Sequence, residues 1–114
     1  MASQIVDIGS KSGKFKYILV QQGQKHLIRG DPNLEYHDKI FEKLKQEVGE
    51  KSADELKVLG GGKVLVDFEK KQINVFGESQ SYGAADHEKS KALLQEKYPD
   101  FTISTEKPTD SDNK

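Results

Sequence analysis

The nucleophiles and bases available to this chain form a short set, because it has three histidines and no cysteine. His37 is the histidine placed for chemistry. It follows a Pro-Asn turn in Asp31-Pro32-Asn33-Leu34-Glu35-Tyr36-His37. Leu34, His37, Phe41, Leu44 and Val48 then recur at spacings of three and four, the stripe of an amphipathic helix. His37 is thus expected to point inward within the first turn, where unpaired amides and the helix dipole create positive potential. That potential favours the neutral imidazole, which can take a proton or attack an electrophile. The ordinary explanation is a core histidine satisfied by a backbone partner, and this segment alone does not choose between the two.

Other segments suit an anion. Gly60-Gly61-Gly62 reads as a turn between strands that brings backbone close to a ligand and precedes a cation, Lys63. Ser79 to Gly83 is a short-side-chained loop expected to end at a helix start, where amides point toward a phosphate; equally, Ser81 would serve as an N-cap there. Lys16 interrupts an apolar strand and by the period of two lies opposite Phe15 and Tyr17. Arg29 closes the partner strand before Gly30. Both have an ordinary role as solvated sheet positions. A helix-start histidine, a lysine-bearing glycine turn and a helix-start amide loop together suggest phosphoryl chemistry. Several hydrolase plans are excluded: there is no thiol, no Gly-x-Ser-x-Gly elbow, and no Ser or Thr after Lys63 to complete a nucleotide P-loop. His26, His37 and His87 share no metal-ligand spacing, so no metal and no cofactor are expected.

Elements must position these groups. Phe15 to Val20 and Lys25 to Arg29 read as hairpin strands joined at Gln22-Gly23-Gln24. A helix spans about Leu34 to Gly49, and Glu50 to Glu55 reads as a loop. Leu56 to Leu59, Lys63 to Phe68 and Gln72 to Phe76 read as strands. A second helix runs from about Ala84 to Lys97, stopped before Pro99, and Phe101 to Ser104 offers a last strand. An N-terminal strand around Ile5 to Ile8 completes an α+β domain: a mixed, mostly antiparallel sheet of about six strands flanked by two helices. The polar segment Thr105 to Lys114 is expected to be a disordered tail. With 114 residues, 33% hydrophobic and 32% charged, and a net charge of -1, the chain suits one domain with a polar surface and no general pull toward nucleic acid or membrane. The start Met1-Ala2-Ser3-Gln4 lacks signal-peptide order and the chain has no cysteine, so a cytoplasmic protein is expected; a small polar domain favours a monomer.

Phe15-Lys16-Tyr17, Ile28-Arg29-Gly30, Glu35-Tyr36-His37, Leu59-Gly60-Gly61-Gly62-Lys63, Ser79 with Tyr82-Gly83-x-Ala85-x-His87, and Lys97-Tyr98-Pro99-Asp100 occur in one order along the chain. In these motifs, from about Phe15 to Ser104, the chain closely resembles the phosphohistidine phosphatase (Janus/ocnus) family. The resemblance implies a domain over residues 1–104 that acts as a metal-independent protein-histidine phosphatase on histidine-phosphorylated proteins. It places the catalytic histidine at His37, the phosphate-binding lysine at Lys16, and the loop whose amides hold phosphoryl oxygens at Ser79-Gln80-Ser81. Lys63 stands where members often carry arginine; the charge is kept without the planar fork. Arg29 would add positive charge, and Tyr36, Gly62, Tyr82, Gly83 and His87 would support the site, His87 by holding the loop. The rival expectation is a module that binds phosphohistidine with the same cations and amides but does not turn it over.

Overall fold

A computed structural model describes residues 5–105. Residues 1–4 and 106–114 lie outside it, and with them the signal-peptide reading and nearly all of the expected tail. The elements are β1 (Val6–Asp7), β2 (Gly13–Gln22), β3 (Lys25–Gly30), α1 (His37–Val48), the short α2 (Glu50–Ala53), β4 (Leu56–Asp67), β5 (Gln72–Phe76), α3 (His87–Lys97) and β6 (Thr102–Ser104). The strands form one six-stranded sheet in the order β1-β3-β2-β4-β5-β6. Its three central pairings are antiparallel and the two outer ones, β1 with β3 and β5 with β6, are parallel. The α+β expectation with a mixed sheet holds.

Strand alternation sorts the core into two faces. Phe15, Tyr17 and Leu19 of β2 join Ile28, Val64, Val66, Ile73, Val75, Leu94 and Ile103 in one buried cluster. Ile18 and Val20 join Leu27, Ile40, Leu44 and Val48 in the other. The main helices therefore lie on opposite faces, α3 over the first cluster and α1 over the second. On α1 the buried stripe is His37, Ile40, Leu44 and Val48, with Ile40 where Phe41 is expected and Leu34 ahead of the helix. On α3 the buried residues are Ser90 and Leu94, four apart.

Several expectations require correction. The first helix begins at His37, not Leu34, because Tyr36 is extended at φ -126°. The second begins at His87, not Ala84, and Asp86 is its N-cap, not Ser81; the Asp86 carboxylate accepts from the amides of Glu88 and Lys89. The glycine run is no turn. Gly60, Gly61 and Gly62 lie inside the single strand β4 and pair with Leu19, Ile18 and Tyr17 of β2. The expected loop after α1 also carries the extra turn α2, which follows Gly49 at a positive φ of 88°.

Candidate active site

The glycine run is where β4 lets three other parts come closer than a side chain would allow. A Cβ on Gly60 would lie 2.6 Å from the Ala84 carbonyl oxygen. On Gly61 it would lie 2.7 Å from the His37 ring, and on Gly62 it would lie 2.4 Å from the Phe76 carbonyl oxygen and 2.8 Å from the His87 ring. Because neighbouring positions of a strand face opposite sides, His37 packs on the α1 face of β4 and His87 on the α3 face. Beyond the end of β5 the segment 83–85 continues the sheet alongside Gly61. Gly61 N donates to Gly83 O and Ala85 N donates to Gly61 O, both at 3.0 Å.

His37 opens α1 with its side chain 7% exposed. Its Nε2 lies 2.9 Å from the Gly62 carbonyl oxygen. A carbonyl only accepts, so Nε2 carries the proton and Nδ1 keeps the lone pair. Burial lowers the pKa of the ring. The Gly62 bond opposes that shift, while the positive charges of Lys16 and Lys63 reinforce it. Neutral imidazole is thus the favoured form. No side chain caps the helix at Tyr36, and Tyr36, His37, Asp38 and Lys39 line the cleft at the positive end of the helix dipole; of their amides, that of Lys39 donates to Tyr36 O at 3.1 Å.

Lys16 and Lys63 are register partners across β2 and β4. Opposite positions of a strand pair share a face, and like charges placed there are destabilising; an anion between them removes that cost. Lys16 also donates to the Glu35 carbonyl oxygen, and its ammonium sits 5.4 Å from the centre of the exposed Tyr36 ring. Lys16, Tyr36, His37 and Lys63 line one cleft of about 580 Å³ with Asp38, Lys39, Glu78, Ser79, Gln80 and Ser81. Three lysines there face two carboxylates, a net positive surface.

The Ser79 loop is held largely by its own backbone. Ser79 N donates to Gly83 O (3.1 Å) and Gly83 N to Ser79 O (2.9 Å). The buried Ser79 hydroxyl accepts from Ser81 N at 3.2 Å and Tyr82 N at 3.1 Å. Of the three amides expected to cradle a phosphate, those of Ser79 and Ser81 already have acceptors inside the loop; Gln80, at the exposed tip, keeps its amide outside these bonds. Tyr82 packs edge-on against Phe41 of α1, with ring centres 6.3 Å apart, and Gly83 supplies the left-handed turn (φ 78°) that closes the loop.

His87 has both ring nitrogens engaged. Nε2 donates to Gly77 O at 2.7 Å, so Nδ1 accepts from the Tyr17 hydroxyl at 2.7 Å. The Tyr17 oxygen in turn lies 2.9 Å from the fully buried Ser90 hydroxyl. The order is therefore Ser90 to Tyr17 to His87 to Gly77, and burial pushes the Tyr17 phenol well above its ordinary value. The chain ends two residues before Ser79.

Arg29 is brought elsewhere. It is 5% exposed, and its guanidinium donates to both carboxylate oxygens of Glu47, at 3.2 and 2.9 Å, and to the Ile28 carbonyl at 2.8 Å. It lines a separate pocket of about 240 Å³ with Asp31 and Lys43, outside the lining of the His37 cleft. Its expected phosphate-binding role is corrected to that of a strut between β3 and α1. The sequence assigns no role to Tyr17 or Lys39. Only the alternation of Phe15, Lys16 and Tyr17 hinted at the first.

The sequence model of the Janus/Ocnus family matches residues 2–102. The sex-regulated protein janus-A of Drosophila yakuba is 38% identical over 101 residues, 84% of this chain and 74% of that protein. Janus-A of Drosophila melanogaster is 38% identical over 99 residues, 82% and 73% of the two chains. The 14 kDa phosphohistidine phosphatase of Sus scrofa is 34% identical over 113 residues, 89% of each chain. With its glycine-run strand set between two histidines, this chain belongs to the Janus/Ocnus family.

Proposed function

We propose that the protein is a metal-independent protein-histidine phosphatase that hydrolyses the P–N bond of phosphohistidine in proteins. The observation that carries this reading is His37: one ring nitrogen is tied to a main-chain carbonyl, the other keeps its lone pair, and two facing lysines share the cleft. Similarity along 89% of each chain to a phosphohistidine phosphatase supports the same substrate class.

The chemistry needs little covalent assistance. A phosphoramidate P–N bond breaks readily once the leaving imidazole gains a proton, so positioning and charge neutralisation dominate. Lys16 and Lys63 neutralise the phosphoryl oxygens, and the first amides of α1 with that of Gln80 add hydrogen bonds. The Tyr17–His87 chain holds the start of the loop. The Nδ1 lone pair then acts in one of two balanced ways. It takes a proton from a water whose oxygen forms the new P–O bond as the P–N bond breaks, and then gives that proton up to the departing imidazole, which restores the neutral ring. Alternatively it forms an N–P bond itself as the substrate's P–N bond breaks, and water later releases phosphate. Neutral-pH quenching with phosphohistidine detection separates these routes: the second accumulates a phosphate on His37, whereas the first never does.

The test of function is phosphate release from a phosphohistidine peptide with a chelator present. The wild type releases phosphate, and a folded His37→Ala variant is slower by about 10²–10⁴-fold. Tight binding without release would instead favour the non-catalytic phosphohistidine-binding module. Near-full activity in the variant would overturn the assignment.

A further inference from the structure

A second depression adjoins the His37 cleft, and what it could hold follows from its walls. It encloses about 270 Å³. Lys16 and Lys63 belong to both linings, so the groove begins where the phosphoryl-binding lysines stand. Beyond them Pro32 and Leu34, in the turn that leads into α1, form an apolar wall beside the strand at Phe15, whose ring is buried on the other face of the sheet. Lys14 and Glu35 complete the rim.

The groove is preformed. Leu34 N donates to Asp31 O at 3.1 Å, and Asn33 N donates to the Asp31 carboxylate at 2.8 Å. Proline fixes its own φ within that turn. Lys16, by donating to Glu35 O, ties the turn to the strand beneath it.

A phosphohistidine in a protein carries its neighbours with it. When its side chain enters the cleft, the main chain crosses the rim, and extended chain advances about 3.3–3.6 Å per residue. A residue one or two positions away therefore reaches the groove. The two lysines shared with the cleft are occupied by the phosphoryl group, and Lys14 and Glu35 put one charge of each sign on the rim, so a charged neighbour meets no net attraction there. What the groove offers a neighbour is its apolar wall of Pro32 and Leu34, which gains from being covered. We infer that this groove is a peptide subsite that takes an apolar side chain, of the leucine class, from a residue one or two positions from the phosphohistidine; the inference rests on the phosphatase reading above.

The test compares phosphohistidine peptides that differ only at the flanking positions, carrying Leu, Ala or Glu, with free phosphohistidine as a substrate that fills the cleft alone. Leu peptides are expected to exceed Ala peptides by about tenfold in kcat/KM, through KM, the scale of a side-chain difference in an apolar pocket. Leu34→Ala should erase that advantage while free phosphohistidine turns over as before. Pro32→Ser serves as a second variant, since Leu34 also packs against the core. Equal rates for Leu and Ala peptides, a preference for Glu, or an advantage that survives both substitutions would overturn the subsite. If neither the peptides nor free phosphohistidine are turned over, the phosphatase reading falls, and the subsite falls with it.

Discussion

His37 and His87 lie on opposite faces of one strand, against neighbouring glycines, and each donates Nε2–H to a backbone carbonyl. They differ at the other nitrogen. Nδ1 of His87 accepts from Tyr17, inside a buried chain that continues to Ser90, whereas Nδ1 of His37 is left to a cleft lined by cations. The helix starts differ in the same sense: Asp86 caps α3, and no side chain caps α1. One side of β4 is satisfied by the protein itself; the other keeps donors and a lone pair for a ligand. Histidine identity alone says little about chemistry, and partner count at the second nitrogen says much.

The largest expected break in this comparison comes from removing each ring in turn. His37→Ala should lower phosphate release by about 10²–10⁴-fold and cost about 1–3 kcal/mol of stability, because the Gly62 carbonyl loses its donor. His87→Ala should cost a similar amount of stability because the Tyr17 hydroxyl loses its acceptor, with a far smaller loss of rate; denaturant unfolding beside the release assay reads both. If the His87 variant proved the more severely inactive while fully stable, the assignment of roles would be reversed.

Next come the glycines between the rings. Gly62→Ala would place a methyl group 2.4 Å from the Phe76 carbonyl, and overpacking of this kind costs about 1–3 kcal/mol. Gly61→Ala presses on the His37 ring, so its folded fraction should also lose kcat. Measuring kcat on protein verified as folded separates the two.

Arg29 and Lys63 sharpen the contrast between strut and site. Arg29→Met should destabilise by about 1.5–3 kcal/mol by removing charged hydrogen bonds and leave KM unchanged. Lys63→Gln should raise KM while leaving stability equal or a few tenths of a kcal/mol higher, since it relieves the facing Lys16. Calorimetry with steady-state kinetics reads both.

The smaller effects concern protons. Tyr17→Phe should cost about 1–3 kcal/mol, because His87 loses a donor and the buried Ser90 hydroxyl an acceptor. Because His37 is held below its ordinary value of 6.5, the unfolded chain takes up this proton first as pH falls. Its contribution to stability is therefore level above pH 6.5 and is lost progressively between 6.5 and the lower folded value. Activity should stay high through neutral pH and drop only below 6.5, with the pH profile of kcat/KM as the check.

Much of this was legible along the chain. The hairpin of β2 and β3, the β4–β5 pair and the stripe of α1 are local patterns, and apolar alternation or helical spacing writes them directly. His37 and the Lys16 position were readable for the same reason. The glycine run was misread because three residues without side chains look alike whether they bend or let neighbours approach, and only the convergence of His37, His87 and residues 84–85 distinguishes the cases. Arg29 was misplaced because its partner, Glu47, is eighteen positions away on another element. The bonds inside the Ser79 loop were equally hidden, since hydroxyl-to-amide closure leaves no periodic trace.

The most direct measurement of the central claim is nitrogen-15 NMR of the histidine rings during a titration with inorganic phosphate. The account predicts His37 as the neutral Nε2–H tautomer at pH 7, with phosphate shifting its Nδ1 strongly while both nitrogens of His87 stay nearly fixed. A protonated Nδ1 on His37, or a phosphate response confined to His87, would contradict it.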